Sequence, residues 1–298
     1  MKKSVLTALV LTLALLVSFV PALTASATQY SLGDVTGDGK VTSADARQIL
    51  RFSARLEYIT KICQQAADVN RSGKVNSADA RTVLRVAARL ETLAVGPGDV
   101  FDDGLAKNAK DPANEEALKY FFDGLGNGRF SLVGTMTSNG ETDPIEFSKA
   151  DDMIRMSTEM SGVRLSILSS GGILYLISDE KQSYIELDER IMKMLGLDLS
   201  ALSLDFGEGD AGAVGWAERE YEGKSVESAV SESPNGVVEF YADGGKIVLI
   251  RVFDETGACD SEIRVDSFRS DVTKAELELP ADYKITTYTS FILGLATA

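Results

Sequence analysis

One loop is written twice in this chain, and no other feature constrains the fold as tightly. Asp34-Val35-Thr36-Gly37-Asp38-Gly39-Lys40-Val41-Thr42-Ser43-Ala44-Asp45 recurs, 34 residues later, as Asp68-Val69-Asn70-Arg71-Ser72-Gly73-Lys74-Val75-Asn76-Ser77-Ala78-Asp79. Each copy runs into a matching helical segment, Ala46-Arg47-Gln48-Ile49-Leu50-Arg51 and Ala80-Arg81-Thr82-Val83-Leu84-Arg85, and closes on Ala-Arg-Leu-Glu at 54–57 and 88–91. Self-similarity at a fixed period marks one supersecondary unit used twice.

The spacing of oxygen-bearing side chains is that of a calcium loop. Calcium takes roughly six to eight oxygens, and a loop of about twelve residues supplies most of them. In the first copy the donors are Asp34, Thr36, Asp38, Thr42, Asp45 and the backbone carbonyl of Lys40. In the second they are Asp68, Asn70, Ser72, Asn76, Asp79 and the carbonyl of Lys74. Gly39 and Gly73 sit sixth, where the loop turns sharply and needs a positive φ. Val41 and Val75, at the eighth place, can pair the two loops. A plain Asp/Gly/Ser-rich turn is the alternative, but turns do not require the whole donor set twice. Three carboxylates in the first loop against two in the second, with Arg71 beside the latter, predict a weaker second site.

Thr42 and Asn76 are placed to cap the helices, with Asp45 and Asp79 three residues on. Ala46, Ile49, Ser53 and Leu56 share a face at helical spacing, as do Ala80, Val83, Ala87 and Leu90. Arg47, Arg51 and Arg55 form a stripe beside it, repeated as Arg81, Arg85 and Arg89; composition alone reads such a stripe equally as a solvated basic face.

The Asp at the twelfth place, where an ordinary EF-hand has Glu, and the lack of an amphipathic helix before the first loop give a pattern that resembles the type I dockerin. The resemblance spans Gly33–Glu91, about a fifth of the chain. It implies a calcium-stabilised module that plugs into a cohesin domain on a scaffold or cell-surface protein. It further implies that Ser43, Ala44, Leu50, Arg51 and Arg55, with their counterparts Ser77, Ala78, Leu84, Arg85 and Arg89, contact the cohesin, and that either helix presents the same face after a half-turn.

Residues 1–27 read as a secretory signal peptide: Lys2 and Lys3, an apolar run over 5–20, and a small-residue cleavage site at Ala25-Ser26-Ala27. The expected division is then a docking module over 28–93, a turn-rich acidic linker over 94–111 without helix or strand period, and a β domain over 112–298. No later apolar stretch is long enough to span a bilayer. The net charge of −15 argues against nucleic acid and anionic membranes. Two cysteines, Cys63 and Cys259, are too few for a disulfide framework; they read as two buried or idle thiols, the alternative being a bridge that ties two domains together.

A helix is expected over 112–124, capped by Asn114 with Leu118, Phe121 and Phe122 as its apolar side. From Arg129 the period becomes two, with strands over 129–137, 143–149, 153–160, 163–169, 173–179, 183–188, 214–222, 224–231, 236–242, 246–254 and 261–267 and a helical break over 189–195. Asn139-Gly140, Gly171-Gly172, Asn235-Gly236 and Asp243-Gly244 mark tight hairpins. A meander this long is expected to curl, giving an antiparallel half-barrel packed on short helices; the whole chain is an α+β multidomain protein whose N-terminal module is all-α. The stretch Phe240–Ile250 and the ending Leu279-Pro280-Ala281-Asp282-Tyr283-Lys284 resemble the lipoprotein-carrier type of domain, which implies a curled sheet with an apolar hollow for a lipid-like ligand. Met153, Met156, Met160, Met192 and Met194 would suit such a hollow, or an ordinary core.

The chain has no histidine, which removes Ser-His-Asp and Cys-His catalysis and His-ligated zinc. Glycoside hydrolysis needs only two facing carboxylates. Glu218, Glu220, Glu222, Glu227, Glu232, Glu239 and Glu262 are candidates, but their period-two spacing is that of a solvated sheet face. Trp216, Tyr175, Tyr184, Tyr221 and Tyr241 could stack on sugars, yet strand aromatics more often face a core. The reading that follows is a secreted, extracellular or surface-associated protein that docks through calcium-dependent cohesin binding and displays a non-catalytic binding or structural β domain. The competing class is a component enzyme of a polysaccharide-degrading, cellulosome-like complex hydrolysing O-glycosyl bonds.

Overall fold

The computed structural model describes residues 29–96, 98–102, 104–160, 163–188, 190–191, 214–233, 236–254 and 257–295. The signal-peptide segment 1–27, most of the helical break over 189–195, and Met192 and Met194 lie outside the described residues.

The duplicated loops lead into two equal helices, α1 (Ser43–Ser53) and α3 (Ser77–Ala87). Each begins with a capping box: Thr42 accepts from the Ala44 amide while Asp45 reaches back to Thr42, and Asn76 and Asp79 do the same at the second helix. The helices pack on each other through Ala46, Ile49, Ala80 and Val83. Ser53 and Leu56, expected on that face, are instead exposed, because α1 ends at Ser53 and Arg55 turns left-handed at φ 58°. Leu90 is exposed beyond Arg89, also at φ 58°, for the same reason.

Between the helices lies α2 (Lys61–Ala67), whose Cys63, Ala66 and Ala67 complete the core with Tyr30, Leu32 and Val35. The module is not all-α. Strand β1 (Gln29–Ser31) pairs antiparallel with β2 (Val100–Asp102), Tyr30 opposite Phe101. Strand β2 comes from the stretch that shows no strand period. Three residues are too few to display one, and what fixes them is tertiary: Phe101 packs on the core that Tyr30 enters. Cys63 is buried and Cys259 exposed, and both are free thiols.

The second part opens with α4 (Pro112–Gly126), with Pro at its start and Asp111 as N-cap, accepting from the Ala113 amide. Asn114, expected as the cap, is buried inside the first turn, where its side chain meets Glu227 and the Gly245 amide. The strands are β3 (Arg129–Ser138), β4 (Glu141–Ala150), β5 (Met153–Met160), β6 (Val163–Ser170), β7 (Ile173–Ser178), β8 (Ser183–Glu186), β9 (Val214–Tyr221), β10 (Lys224–Ser233), β11 (Gly236–Asp243), β12 (Lys246–Phe253) and β13 (Cys259–Arg269). Each expected strand is present. A short helix α5 (Lys274–Leu277), a two-residue strand β14 (Lys284–Ile285) and a last helix α6 (Tyr288–Leu295) follow.

All strands after β2 form one 12-stranded sheet in the order β14-β8-β7-β6-β5-β4-β3-β13-β12-β11-β10-β9. It is antiparallel except at β14, which pairs parallel with β8. Two runs of hairpins thus meet at a central seam, where β3 pairs with β13. Helix α4 seats Leu118, Phe121, Phe122 and Leu125 on one face against Phe130, Phe147, Phe240 and Ile250. Rings pack at 5.0 Å for Phe122–Phe240 and 4.5 Å for Phe121–Phe268. Helix α6 adds Phe291 over Ile167, Leu176 and Ile185. Met153, Leu168 and Ile177 point to the opposite face, where α5 covers them with Leu277. Met136, Met153 and Met156 are buried core residues.

Candidate metal centre and docking face

In the first loop, two carboxylates are taken out of water and met by amides. Asp34 is buried, its Oδ1 accepting from the Gly37 and Asp38 amides at 2.8 and 3.2 Å and its Oδ2 from the Gly39 amide at 2.8 Å. Asp45 is fully buried. Its Oδ1 accepts from the amides of Val35 and Thr36 and from Thr36 Oγ1, each at 2.9 Å. Its Oδ2 accepts from the Thr42 amide at 2.7 Å and Thr42 Oγ1 at 3.0 Å. Thr36 Oγ1 also stands 3.4 Å from Asp34 Oδ1, so the first, third and twelfth loop positions converge. Burial raises the Asp34 carboxyl above its usual range, the amides of Gly39, Gly37 and Asp38 oppose that, and the charge of Asp45 adds to it.

The second loop repeats the design with fewer bonds. Asp68 accepts from the Ser72 amide at 2.9 Å and the Gly73 amide at 2.7 Å. Asp79 is fully buried and accepts from the amides of Asn70 and Asn76 at 3.3 and 3.0 Å. Gly39 and Gly73 both have φ 79°, as the sixth place requires. At the fourth place Gly37 (φ 69°) is replaced by Arg71 (φ 56°), a side-chain-bearing residue in the left-handed region. Arg71 is held there by Asp99, whose two oxygens lie 2.7 and 2.8 Å from Nη2. Arg71 is therefore an anchor to the segment before β2, a role its sequence context did not reveal.

The donor set is all oxygen, which suits a hard cation. Among the described residues no three Asp, Glu, Cys or His side chains are drawn to metal-ligating spacing. A cation in these loops would thus also use Thr36, Asn70, Ser72 and the carbonyls of Lys40 and Lys74. Thr42 Oγ1 and Asn76 Oδ1 serve as helix caps, at 3.1 and 2.8 Å from the Ala44 and Ala78 amides. Asp38 Oδ1 accepts from the Lys40 amide at 2.8 Å, and Ser72 Oγ and Asn76 Nδ2 donate to the Lys74 carbonyl at 3.1 and 3.0 Å.

Every residue expected to meet a partner is exposed: Ser43, Ala44, Leu50, Arg51 and Arg55 on the first repeat, and Ser77, Ala78, Leu84, Arg85 and Arg89 on the second. Leu50 and Leu84 are 41% and 43% exposed, so the two faces are near-equal. Arg51 pairs with Glu57 at 2.5 Å and Arg85 with Glu91 at 2.8 Å, the same pair six residues apart in both repeats.

Residues 32–86 match the dockerin type I domain. A type I dockerin binds calcium and pairs with a cohesin domain, the association on which cellulosome-type assemblies are built. The matched stretch begins just before the first loop and ends within α3, so it holds both loops and both capping boxes. A comparison with curated proteins finds no match. Among solved structures, the chain is similar to an uncharacterized conserved protein from Thermus thermophilus (12% identity, 58% of this chain and 97% of that one, TM-score 0.34). It is also similar to LprF from Mycobacterium bovis (11%, 59% and 100%, TM-score 0.34). A third is the MucA/MucB complex of Pseudomonas aeruginosa (14%, 59% and 64%, TM-score 0.31). Likeness at this level assigns no function to the chain.

Outside the dockerin, Glu218, Glu222, Glu227, Glu239 and Glu262 are tied to cations or amides. Glu218 pairs with Lys110 at 2.7 Å, Glu222 with Arg264 at 2.7 Å, Glu239 with Arg219 at 2.8 Å and Glu262 with Arg251 at 2.8 Å. Glu239 is buried and accepts from Tyr241 Oη at 2.8 Å. Glu227 accepts from the Lys110 and Asp111 amides and from Asn114 Nδ2. Trp216 is 4% exposed and bonded through its backbone to Ala106, so it presents no open ring to a sugar. No described helix is long and apolar enough to cross a membrane.

Proposed function

We propose that this chain is a secreted, calcium-dependent docking protein. Its dockerin joins a cohesin on a scaffold or cell-surface protein and holds the β domain there as a non-catalytic binding or structural unit. The observation that carries this reading is the twinning: two oxygen-lined loops open into two identically capped helices with matched, exposed Leu and Arg. Calcium occupies both loops, the first more tightly. The first loop has three carboxylates to the second's two, and affinity follows ligand charge. The ligand positions are Asp34, Thr36, Asp38, Lys40, Thr42 and Asp45, then Asp68, Asn70, Ser72, Lys74, Asn76 and Asp79. Residues 28–93, completed by Asp99 and β2, carry the docking unit, and 112–298 the displayed domain. The non-catalytic reading of that domain is supported by the pairing of Glu218, Glu222, Glu227, Glu239 and Glu262 with Lys, Arg and amides rather than with one another across a cleft. An apolar ligand between sheet and helices belongs to the same reading, at a place other than the core under α4, which Phe121, Phe122, Phe130 and Phe240 fill.

The test is capture of cohesin-bearing surface proteins by the purified chain, with calcium and with chelator. Capture is expected only with calcium. Because the two faces match, Arg51→Glu with Arg55→Glu should leave binding through the second repeat, and adding Arg85→Glu and Arg89→Glu should abolish it. Loss of all binding with the first pair alone would refute the two-faced reading. Turnover of a glycan by the purified chain that stops when one strand Glu becomes Gln would move the β domain to the enzyme class.

A further inference from the structure

One carboxylate of the β sheet reaches into the dockerin. Glu232, near the end of β10, accepts at Oε1 from Tyr58 Oη at 2.8 Å and from the Lys61 backbone amide at 3.0 Å. Lys61 is the first residue of α2, so a side chain 171 positions away satisfies an amide that the helix leaves open. Tyr58 directly follows the shared Ala-Arg-Leu-Glu and has no counterpart, since Thr92 stands at the equivalent place in the second repeat.

Helix α2 joins both calcium loops. Its Ala66 carbonyl accepts from the Gly33 amide at 2.8 Å, one residue before the first loop. Its C-cap is Asp68, the first ligand position of the second loop. The remaining connection is also fixed on the sheet. Ala106 exchanges two backbone bonds of 2.7 Å with Trp216, Leu105 lies against Gly215, and Glu227 of β10 gathers the amides of Lys110 and Asp111.

We infer that the β domain is docked onto the dockerin through the Glu232–Tyr58–Lys61 contact, and that this docking is coupled to calcium binding, chiefly at the second loop, through α2. The coupling rests on the calcium reading of the loops. It falls mainly on the second loop for two reasons. Asp68 is itself the cap of α2, and Asp79 is gripped by fewer amides than Asp45. Linkage makes the effect mutual: calcium that orders α2 also strengthens the contact with β10. Burial, and next the hydrogen bond and charge of Glu232, raise the Tyr58 phenol above its ordinary value, so it stays a neutral donor.

Calorimetric calcium titration of the full chain tests this, comparing the unaltered protein with Tyr58→Phe and Glu232→Ala. Tyr58→Phe removes one hydroxyl and keeps the fold. Loss of a helix cap corresponds to about a fivefold change in an equilibrium constant. Glu232→Ala should therefore weaken the second calcium by about that factor and leave the first nearly unchanged, with Tyr58→Phe in between. Trypsin cleavage at Lys107 and Lys110 should slow on adding calcium to the unaltered chain and slow less in Glu232→Ala. Two calcium affinities unchanged in both variants, with cleavage equally protected, would overturn the coupling. If the unaltered chain binds no calcium, the calcium reading of the loops fails first and takes the coupling with it.

Discussion

At the scale of single residues, the twelfth-place aspartates do more than their sequence position announces. Both were placed by loop spacing, yet spacing could not tell that each is fully buried and works as the hub that ties loop to helix. A buried carboxylate persists only where donors replace its water. Asp45 has five such donors and Asp79 two from the backbone. Asp45→Ala should therefore cost more, about 3 kcal/mol, than Asp79→Ala, about 1–2 kcal/mol, in urea unfolding followed by helix signal in saturating calcium. Equal losses would mean that the amide grip does not set the balance between the loops. Glu232 reads in the sequence only as one acid of a solvated sheet face; its contact with Tyr58 was not legible, because a contact 174 positions apart leaves no local pattern.

At the scale of elements, the seam between β3 and β13 leaves no room for a side chain at Gly134. A Cβ there would stand 1.9 Å from the Arg264 carbonyl oxygen. Gly134→Ala should break the pairing and cost more than about 3 kcal/mol in denaturant unfolding of the β domain, since neither atom can yield without losing the ladder. The helix α5 that roofs the outer cluster is held by its own capping box and by Arg269. The Arg269 guanidinium, then the Thr273 amide and hydroxyl, lower the Glu276 carboxyl to about 2. Because that value lies below the ordinary one, the stabilisation is complete above about 4.5 and fades as pH falls toward 2. Residue-resolved NMR should show Glu276 titrating near 2, and Arg269→Met should return it toward its ordinary range. The strands were legible because alternation and Asn-Gly or Gly-Gly turns are local signals. The pieces α2, β2 and β14 were not, being seven, three and two residues long and fixed by what they pack on.

At the scale of the whole molecule, the boundary between the parts is not a free tether. Strand β2 and Asp99 lie beyond residue 93 but complete the dockerin. In calcium, a fragment covering 28–103 should melt higher than one covering 28–93, which lacks the β1–β2 ladder and the Arg71–Asp99 pair. Chelator should lower the helix signal of both. Identical melting curves would show that the strand and ion pair add nothing. The order of the large sheet has its own consequence. Residues 129–188 build one run of strands outward from the centre. Residues 214–269 build the other inward from the far edge, and the two touch chiefly along the β3–β13 seam. A chain cut between 188 and 214 would keep every hydrogen-bonded ladder of both halves and the seam that joins them. Each half should then be expressible as a separate polypeptide that finds its complement, which makes this sheet a natural split reporter for anything brought into proximity on a scaffold.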